Sequence, residues 1–370
     1  MAVSAPSPQQ DSYQRDDRFR ILSVDGGGIR GLIPAIVLAE LEERVSREAA
    51  EKRSLSDCFH LMAGTSTGGL IVLGLTAPDP SGERPRLSPA DLVSFYRDQG
   101  PPIFRAGLRG LLTLGGWLGP KYSPATLERV LRDTLGDVRM RDARRDLIVT
   151  SYDMKRREPH FFKRWRAAES EDRNPSMVEA ALATAAAPTY FPSHGVGDRA
   201  LVDGGVFASN PTVAAIAEAL KRTTDEPADL RPKELLVVSL GTGVREFGFE
   251  QSQVRGWGRV GWIKPRGGEV PLLGAVLDGQ SDAADHWAHM ILNHGPGDPL
   301  PERDEIGANG PRYFRLQIRL ETALGLDDAS AGALDRLAAA ARQLIDAHDE
   351  QLTEIAQRLA RIEPLAANPA

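Results

Sequence analysis

Short apolar runs alternate along the chain with stretches in which apolar residues recur every three or four positions. Phe19-Arg-Ile-Leu-Ser-Val-Asp25 is a run of strand type, and Gly26-Gly27-Gly28 ends it. From Leu32 to about Ala49, the residues Ile33, Ile36, Val37, Leu41 and Val45 fall at helical spacing. Phe59-His-Leu-Met-Ala63 predicts a second strand, Gly64 to Gly68 a turn, and the residues to Leu75 an apolar helix. Ser88-Pro89 and Ser123-Pro124 each set a capping residue before a proline, which predicts helices over 88–98 and 123–135. Further strands are expected over 145–151, 159–163, 199–203 and 234–240, with helices over about 175–186 and from Asn210-Pro211 onward. Arg312 to Leu320 alternates Phe314, Leu316, Ile318 and Leu320 with Tyr313, Arg315, Gln317 and Arg319, a period of two. Leu334, Leu337, Ala341, Leu344, Ile345, Leu352, Ile355 and Leu359 form one stripe, so 330–362 reads as a long amphipathic helix or a helix pair.

Strands that alternate with helices, several of them apolar throughout, imply a mainly parallel sheet covered on both faces. The expected fold class is α/β: one three-layer α/β/α domain over 19–325, with helical additions. Residues 1–18 read as a disordered leader. Residues 326–370 read as a C-terminal helical extension packed on the domain or on a partner subunit, which leaves a homo-oligomer open.

A net charge of -6 argues against nucleic acid as the main partner. Arg139 to Arg145 is arginine-rich, and its ordinary reading is a solvated loop. Cys58 is the one cysteine, so no internal disulfide forms, and its apolar neighbours suit a buried small hydrophobe. No secretory h-region or membrane-spanning run is evident, which makes a cytoplasmic protein the expectation. Residues 103–118 are apolar and glycine-rich, with Trp117, Leu118, Arg105 and Arg109. They read either as a buried crossover or as a peripheral membrane contact.

Three turns carry candidate chemistry. Gly64-Thr65-Ser66-Thr67-Gly68 fits G-x-S-x-G between a strand and a helix, where a sharp turn presents the serine hydroxyl beside free helix N–H groups. The same composition also suits a plain helix-capping loop. Asp25-Gly-Gly-Gly-Ile-Arg-Gly31 satisfies G-x-G-x-x-G, yet the next strand ends in Gly64-Thr65-Ser66 and not in the acidic residue that would hold a ribose. Consecutive glycine N–H groups also suit an oxyanion hole. Asp203-Gly204-Gly205 closes a strand with a carboxylate able to act as a base, although Asp-Gly is common turn chemistry.

Taken in order, these three turns resemble the patatin-like phospholipases over about residues 19–320. Pro120-Lys-Tyr122, Ala183-Thr-Ala-Ala-Ala-Pro188, Tyr190-Phe-Pro192, Asn210-Pro211 and Leu240-Gly-Thr-Gly243 support the likeness. The resemblance implies Ser66 as nucleophile, Asp203 as general base, and Gly26, Gly27 and Gly28 as the oxyanion hole. Arg30, Gly64, Gly68, Gly204 and Gly205 are then supporting residues. It implies a three-layer fold and hydrolysis of acyl esters of phospholipids, lysophospholipids or galactolipids, with no metal and no cofactor. Bacterial relatives switched on by cyclic nucleotides in antiphage defence add a candidate activator. Two other readings stay open: a Ser66–Asp203–histidine triad through His286 or His289, and a nucleotide- or lipid-binding protein without catalysis.

Overall fold

The computed structural model describes residues 19–105, 119–222, 230–245, 248–264, 266, 270–294, 312–320, 324–361 and 364–365. The expected leader and most of the 103–118 stretch lie outside them.

Eight strands form one mixed sheet in the order β5-β6-β3-β2-β1-β7-β9, with β4 paired to β3 off that path. They are β1 (Phe19–Val24), β2 (Leu61–Thr65), β3 (Asp146–Asp153), β4 (Glu158–Lys163), β5 (His194–Val196), β6 (Arg199–Asp203), β7 (Leu235–Leu240) and β9 (Tyr313–Leu316). A separate parallel pair joins β8 (Val244–Arg245) to β10 (Arg319–Leu320). Strands β3, β2, β1, β7 and β9 run parallel. Strands β4, β6 and β5 are antiparallel to their neighbours.

Each central strand feeds two cores with alternate residues. Leu22, Val24, Met62, Leu147, Val149, Leu236 and Val238 belong to one buried cluster, and Ile21, Leu61, Ala63, Ile148, Leu235 and Val237 to the other. The first is covered by α1 (Leu32–Glu48), α2 (Thr67–Thr76), α3 (Pro89–Ile103), α4 (Pro124–Leu135) and α5 (Met177–Thr184). The second is covered by α6 (Thr212–Arg222) and α7 (Pro271–Leu292). This is the α/β/α sandwich that the apolar strands imply, because a parallel strand buried on both faces needs both of its sides apolar.

Two local expectations are corrected, and the third segment takes one of its two expected forms. Arg144 and Arg145 are buried, and each reaches Asp57, at 3.3 and 2.5 Å. That end of the arginine run pins a short helical turn, while Arg139 and Arg141 stay at the surface on Glu171. The 312–320 strand breaks after Leu316, because Gln317 Oε1 turns inward and accepts from the N–H groups of Gly243 (2.8 Å) and Ile318 (3.1 Å). The 330–362 stripe is two helices, α8 (Ala331–Ala347) and α9 (Asp349–Ala360), hinged at His348. Both pack on α1, where Arg44 reaches Asp349 at 2.8 Å and Thr353 at 3.0 Å.

Candidate active site

Ser66 is the residue between β2 and α2. Its backbone sits at φ 53°, ψ -120°, a left-handed-side conformation that a non-glycine residue adopts only under constraint. The flanking glycines supply that constraint. A Cβ on Gly68 would lie 2.1 Å from the Val24 carbonyl oxygen, and one on Gly64 would lie 2.2 Å from the Gly68 oxygen. Backbone meets backbone at both points, so the turn closes only with hydrogen at each. Gly68→Ala is expected to lower unfolding stability by about 3 kcal/mol through overpacking. Urea unfolding checks this, and an unchanged midpoint would contradict it.

The register of β3 explains how Asp203 arrives. Residues 148–153 of β3 pair with β4 along one edge. On the opposite edge, β2 runs parallel and ends with Thr65 opposite Thr150. Strand β6 enters that edge from the other end, antiparallel, and finishes with Asp203 opposite Ser151. The two strands therefore meet head to head, and Ser66 and Asp203 leave the same edge at adjacent positions. Burial pushes the Asp203 pKa up to about 6, against opposing hydrogen bonds from the Ser66 hydroxyl and the Gly205 N–H. The Gly205 bond is 2.7 Å. Gly204 lies directly against Thr150.

The three glycines of the turn are not equivalent. Gly26 donates its N–H to the Ser209 carbonyl at 2.9 Å, so that group is already engaged. The N–H groups of Gly27 and Gly28 have no acceptor among the described residues, and they border the cleft that holds Ser66. Gly28 adopts φ +59°, and a Cβ there would strike the Leu326 carbonyl oxygen at 2.0 Å. That carbonyl also accepts from Ile29 N–H at 2.9 Å. Leu326 thus locks the turn. Arg30 is buried and lines the same cleft.

Several contacts that hold the site are not marked by the motifs. Thr184 Oγ1 accepts the Ser66 N–H at 2.8 Å, holding the strained turn. Thr65 Oγ1 donates to the Ala208 carbonyl at 2.6 Å, which ties β2 to the turn after Asp203. Beneath the glycines, Asp25 takes a two-pronged ion pair from Arg315 at 2.6 and 3.0 Å, with Ser281 Oγ at 3.1 Å. Thr184 lies in a segment the sequence singles out only as a block, and Arg315 sits in an alternating strand with nothing to mark it.

The cleft holds about 1180 Å³ of empty space, its open mouth included. Ser66, Asp203, Gly27 and Gly28 lie on its wall among Leu70, Phe95, Ile103, Phe104, Phe191, Leu273 and Leu277. No histidine among the described residues lines it. His289 is buried on α7, packed edge-on against His294 with ring centroids 4.7 Å apart, and His286 lies one turn earlier on the same helix. Cys58 is buried and its thiol is pushed up to about 12 by that burial, far from a reactive thiolate. Among the described residues, no helix is long and apolar enough to cross a membrane, and no group of three or more His, Cys, Asp or Glu is placed to hold a metal ion.

The model of the patatin-like phospholipase family matches residues 22–216, a span that holds the glycine turn, Ser66 and Asp203. Patatin-like protein 2 of Arabidopsis thaliana is 34% identical over 316 residues, which cover 79% of this chain and 76% of that protein. Patatin-07 of Solanum tuberosum is 35% identical over 267 residues, 67% of each chain. Among solved structures, VipD from Legionella pneumophila aligns with 90% of this chain and 67% of its own at 12% identity, with a TM-score of 0.36.

Proposed function

Since this chain belongs to the patatin-like phospholipases, a family of lipid acyl hydrolases, we propose that it cleaves fatty-acyl esters of phospholipids, lysophospholipids or galactolipids through a Ser66–Asp203 dyad. The observation that carries this reading is the head-to-head meeting of β2 and β6 beside two glycine N–H groups that have no acceptor among the described residues. Nucleophile, base and oxyanion donors converge on one wall of an apolar cleft.

In the first step Asp203 takes the Ser66 proton as Oγ attacks the ester carbonyl. Charge developing on the carbonyl oxygen is met by Gly27 and Gly28 N–H, donors that need no reorganisation. The tetrahedral adduct collapses, and the lysolipid or alcohol leaves with the proton held by Asp203. Asp203 then draws a proton from water, which attacks the acyl-enzyme and frees the fatty acid. A carboxylate is a weak base, and its burial raises it toward the working pH. The apolar lining suits the acyl chain in both steps.

The pH profile of kcat/KM on a soluble short-chain ester tests the base. Asp203 is active when ionised, so the rate is expected to rise through about pH 6 and level off above it. A histidine base would titrate in the same range, so the profile is measured on H286A and H289A as well. Both are expected to keep activity and the limb, and a fluorophosphonate is expected to label Ser66 alone. A limb near pH 4, or its loss in either histidine variant, would overturn the proposed dyad.

A further inference from the structure

Residues 249–276 expose several apolar and aromatic groups. Phe249 is 45% exposed, Val260 63% and Ile263 42%. Phe249 packs edge-on against Trp257, and Trp257 against Trp262, so the three rings form one half-exposed cluster. The short helix Arg259–Ile263 packs on α7. The first two turns of α7 expose Leu272 and Val276, while the neighbouring Leu273 and Leu277 line the cleft. The start of α7 therefore has one flank in the substrate cleft and another that exposes apolar side chains, and the short helix that carries Val260 and Ile263 packs on α7. Scattered surface apolar residues are ordinary, but a contiguous group beside a cleft mouth marks an interaction surface.

Charge selects the partner. Residues 248–276 carry Arg255, Arg259, Lys264 and Arg266 against the two acids Glu250 and Glu269, in a chain whose net charge is -6. All four cations are exposed, and Arg266 stacks over Trp257 at 4.9 Å. Tryptophan, aliphatic side chains and arginine or lysine on one face are the composition of an interfacial element at an anionic bilayer. We propose that the surface formed by residues 248–264, 266 and 270–276 docks the protein on anionic lipid bilayers and holds the cleft mouth at the membrane, so that an acyl chain passes into the cleft without crossing water. The inference rests on the lipid acyl hydrolase reading of the cleft. It is independent of the 103–118 segment, which lies largely outside the described residues.

The test uses the full chain in vesicle flotation, with phosphatidylcholine vesicles and with vesicles of phosphatidylcholine and phosphatidylglycerol. Wild type is expected to float with the anionic vesicles, and added salt is expected to release it. V260D/I263D and R259E/K264E are each expected to bind about tenfold more weakly. Hydrolysis of vesicle lipid falls in step, while hydrolysis of a soluble short-chain ester stays within about twofold of wild type, because the substituted side chains are exposed and none of them lines the cleft. Unchanged vesicle binding by both variants overturns the proposal. So does an equal loss on soluble and vesicle substrates, which would make the patch part of the catalytic architecture. If V260D/I263D instead converts a dimer to a monomer without altering vesicle binding, the face is a contact between copies and the proposal fails. Vesicle binding with no ester turnover by wild type would sink the dyad reading and leave docking standing.

Discussion

Replacing Asp203 with asparagine is expected to cut kcat/KM on a soluble acyl ester by about 10³- to 10⁴-fold while making the folded protein more stable at neutral pH. The two effects share a cause. Asp203 is buried, and its pKa of about 6 reflects a charged form the fold disfavours. Below about pH 4 both folded and unfolded states hold the proton, and no penalty exists. As pH rises from 4 to 6 the unfolded chain ionises first, so this group lowers stability across that window. Above pH 6 the full cost, up to about 3 kcal/mol, is present. Asparagine keeps the shape and can still accept from Gly205 N–H, but it carries no charge and takes no proton. D203N should therefore unfold at higher urea concentration than wild type at pH 7.5, with the advantage vanishing near pH 4. S66A, by contrast, is expected to lose at least about 10⁴-fold in kcat/KM with no such pH-dependent gain. If D203N were both active and no more stable, Asp203 would be a turn residue and the base would lie elsewhere.

The parts of this site were legible in the sequence one at a time, and their assembly was not. Ser66 stands out because a serine between two glycines at a strand–helix junction needs a sharp turn, and the close approach of Gly64, Gly68 and Val24 is that turn. Asp203 reads from sequence as turn chemistry. Its place beside Ser66 depends on β3 running three residues past the end of β2, which opens an edge for β6. Nothing in Arg199-Ala-Leu-Val marks that strand as antiparallel. The glycine turn was legible as a row of N–H donors, but the loss of Gly26 to the Ser209 carbonyl is a contact between residues far apart in the chain. The same holds for Leu326, which closes on Gly28 from beyond the expected domain end at 325. The fold itself was read more fully, because capping at Ser88 and Ser123 and all-apolar strands act locally.

Arg315 is where the local reading misses most, and it gives the second large expected effect: R315M should destabilise the fold by about 3–5 kcal/mol. Period-two alternation ordinarily marks a strand with one wet face. In β9 all four residues are buried, because the strand separates the two cores: Phe314 and Leu316 face one, Tyr313 the other. Arg315, the polar member of that second face, is buried with its guanidinium on Asp25 and on Ser239 Oγ at 2.9 Å. Burial works to lower the Arg315 pKa, and the charge and hydrogen bonds of Asp25 outweigh it. Burial also lifts the Asp25 pKa, with Arg315 pulling against it. Methionine fills similar volume but leaves Asp25 buried without its counter-ion, directly before the glycine turn. The unpaired carboxyl then has a folded pKa raised further above its unfolded value, so the deficit of R315M is present above that pKa and shrinks as pH falls. The double variant D25N/R315M removes both charges and should recover most of the loss, since a missing ion pair costs far less than a half-missing one. Urea unfolding of the two single variants and the double at pH 7 and pH 5 measures each step. A cost under about 1 kcal/mol for R315M, the scale of a solvent-screened pair, would mean that the pair beneath the glycine turn is bystander chemistry and that Leu326, with Thr242 Oγ1 donating to the Gly26 carbonyl at 2.6 Å, holds the turn without it.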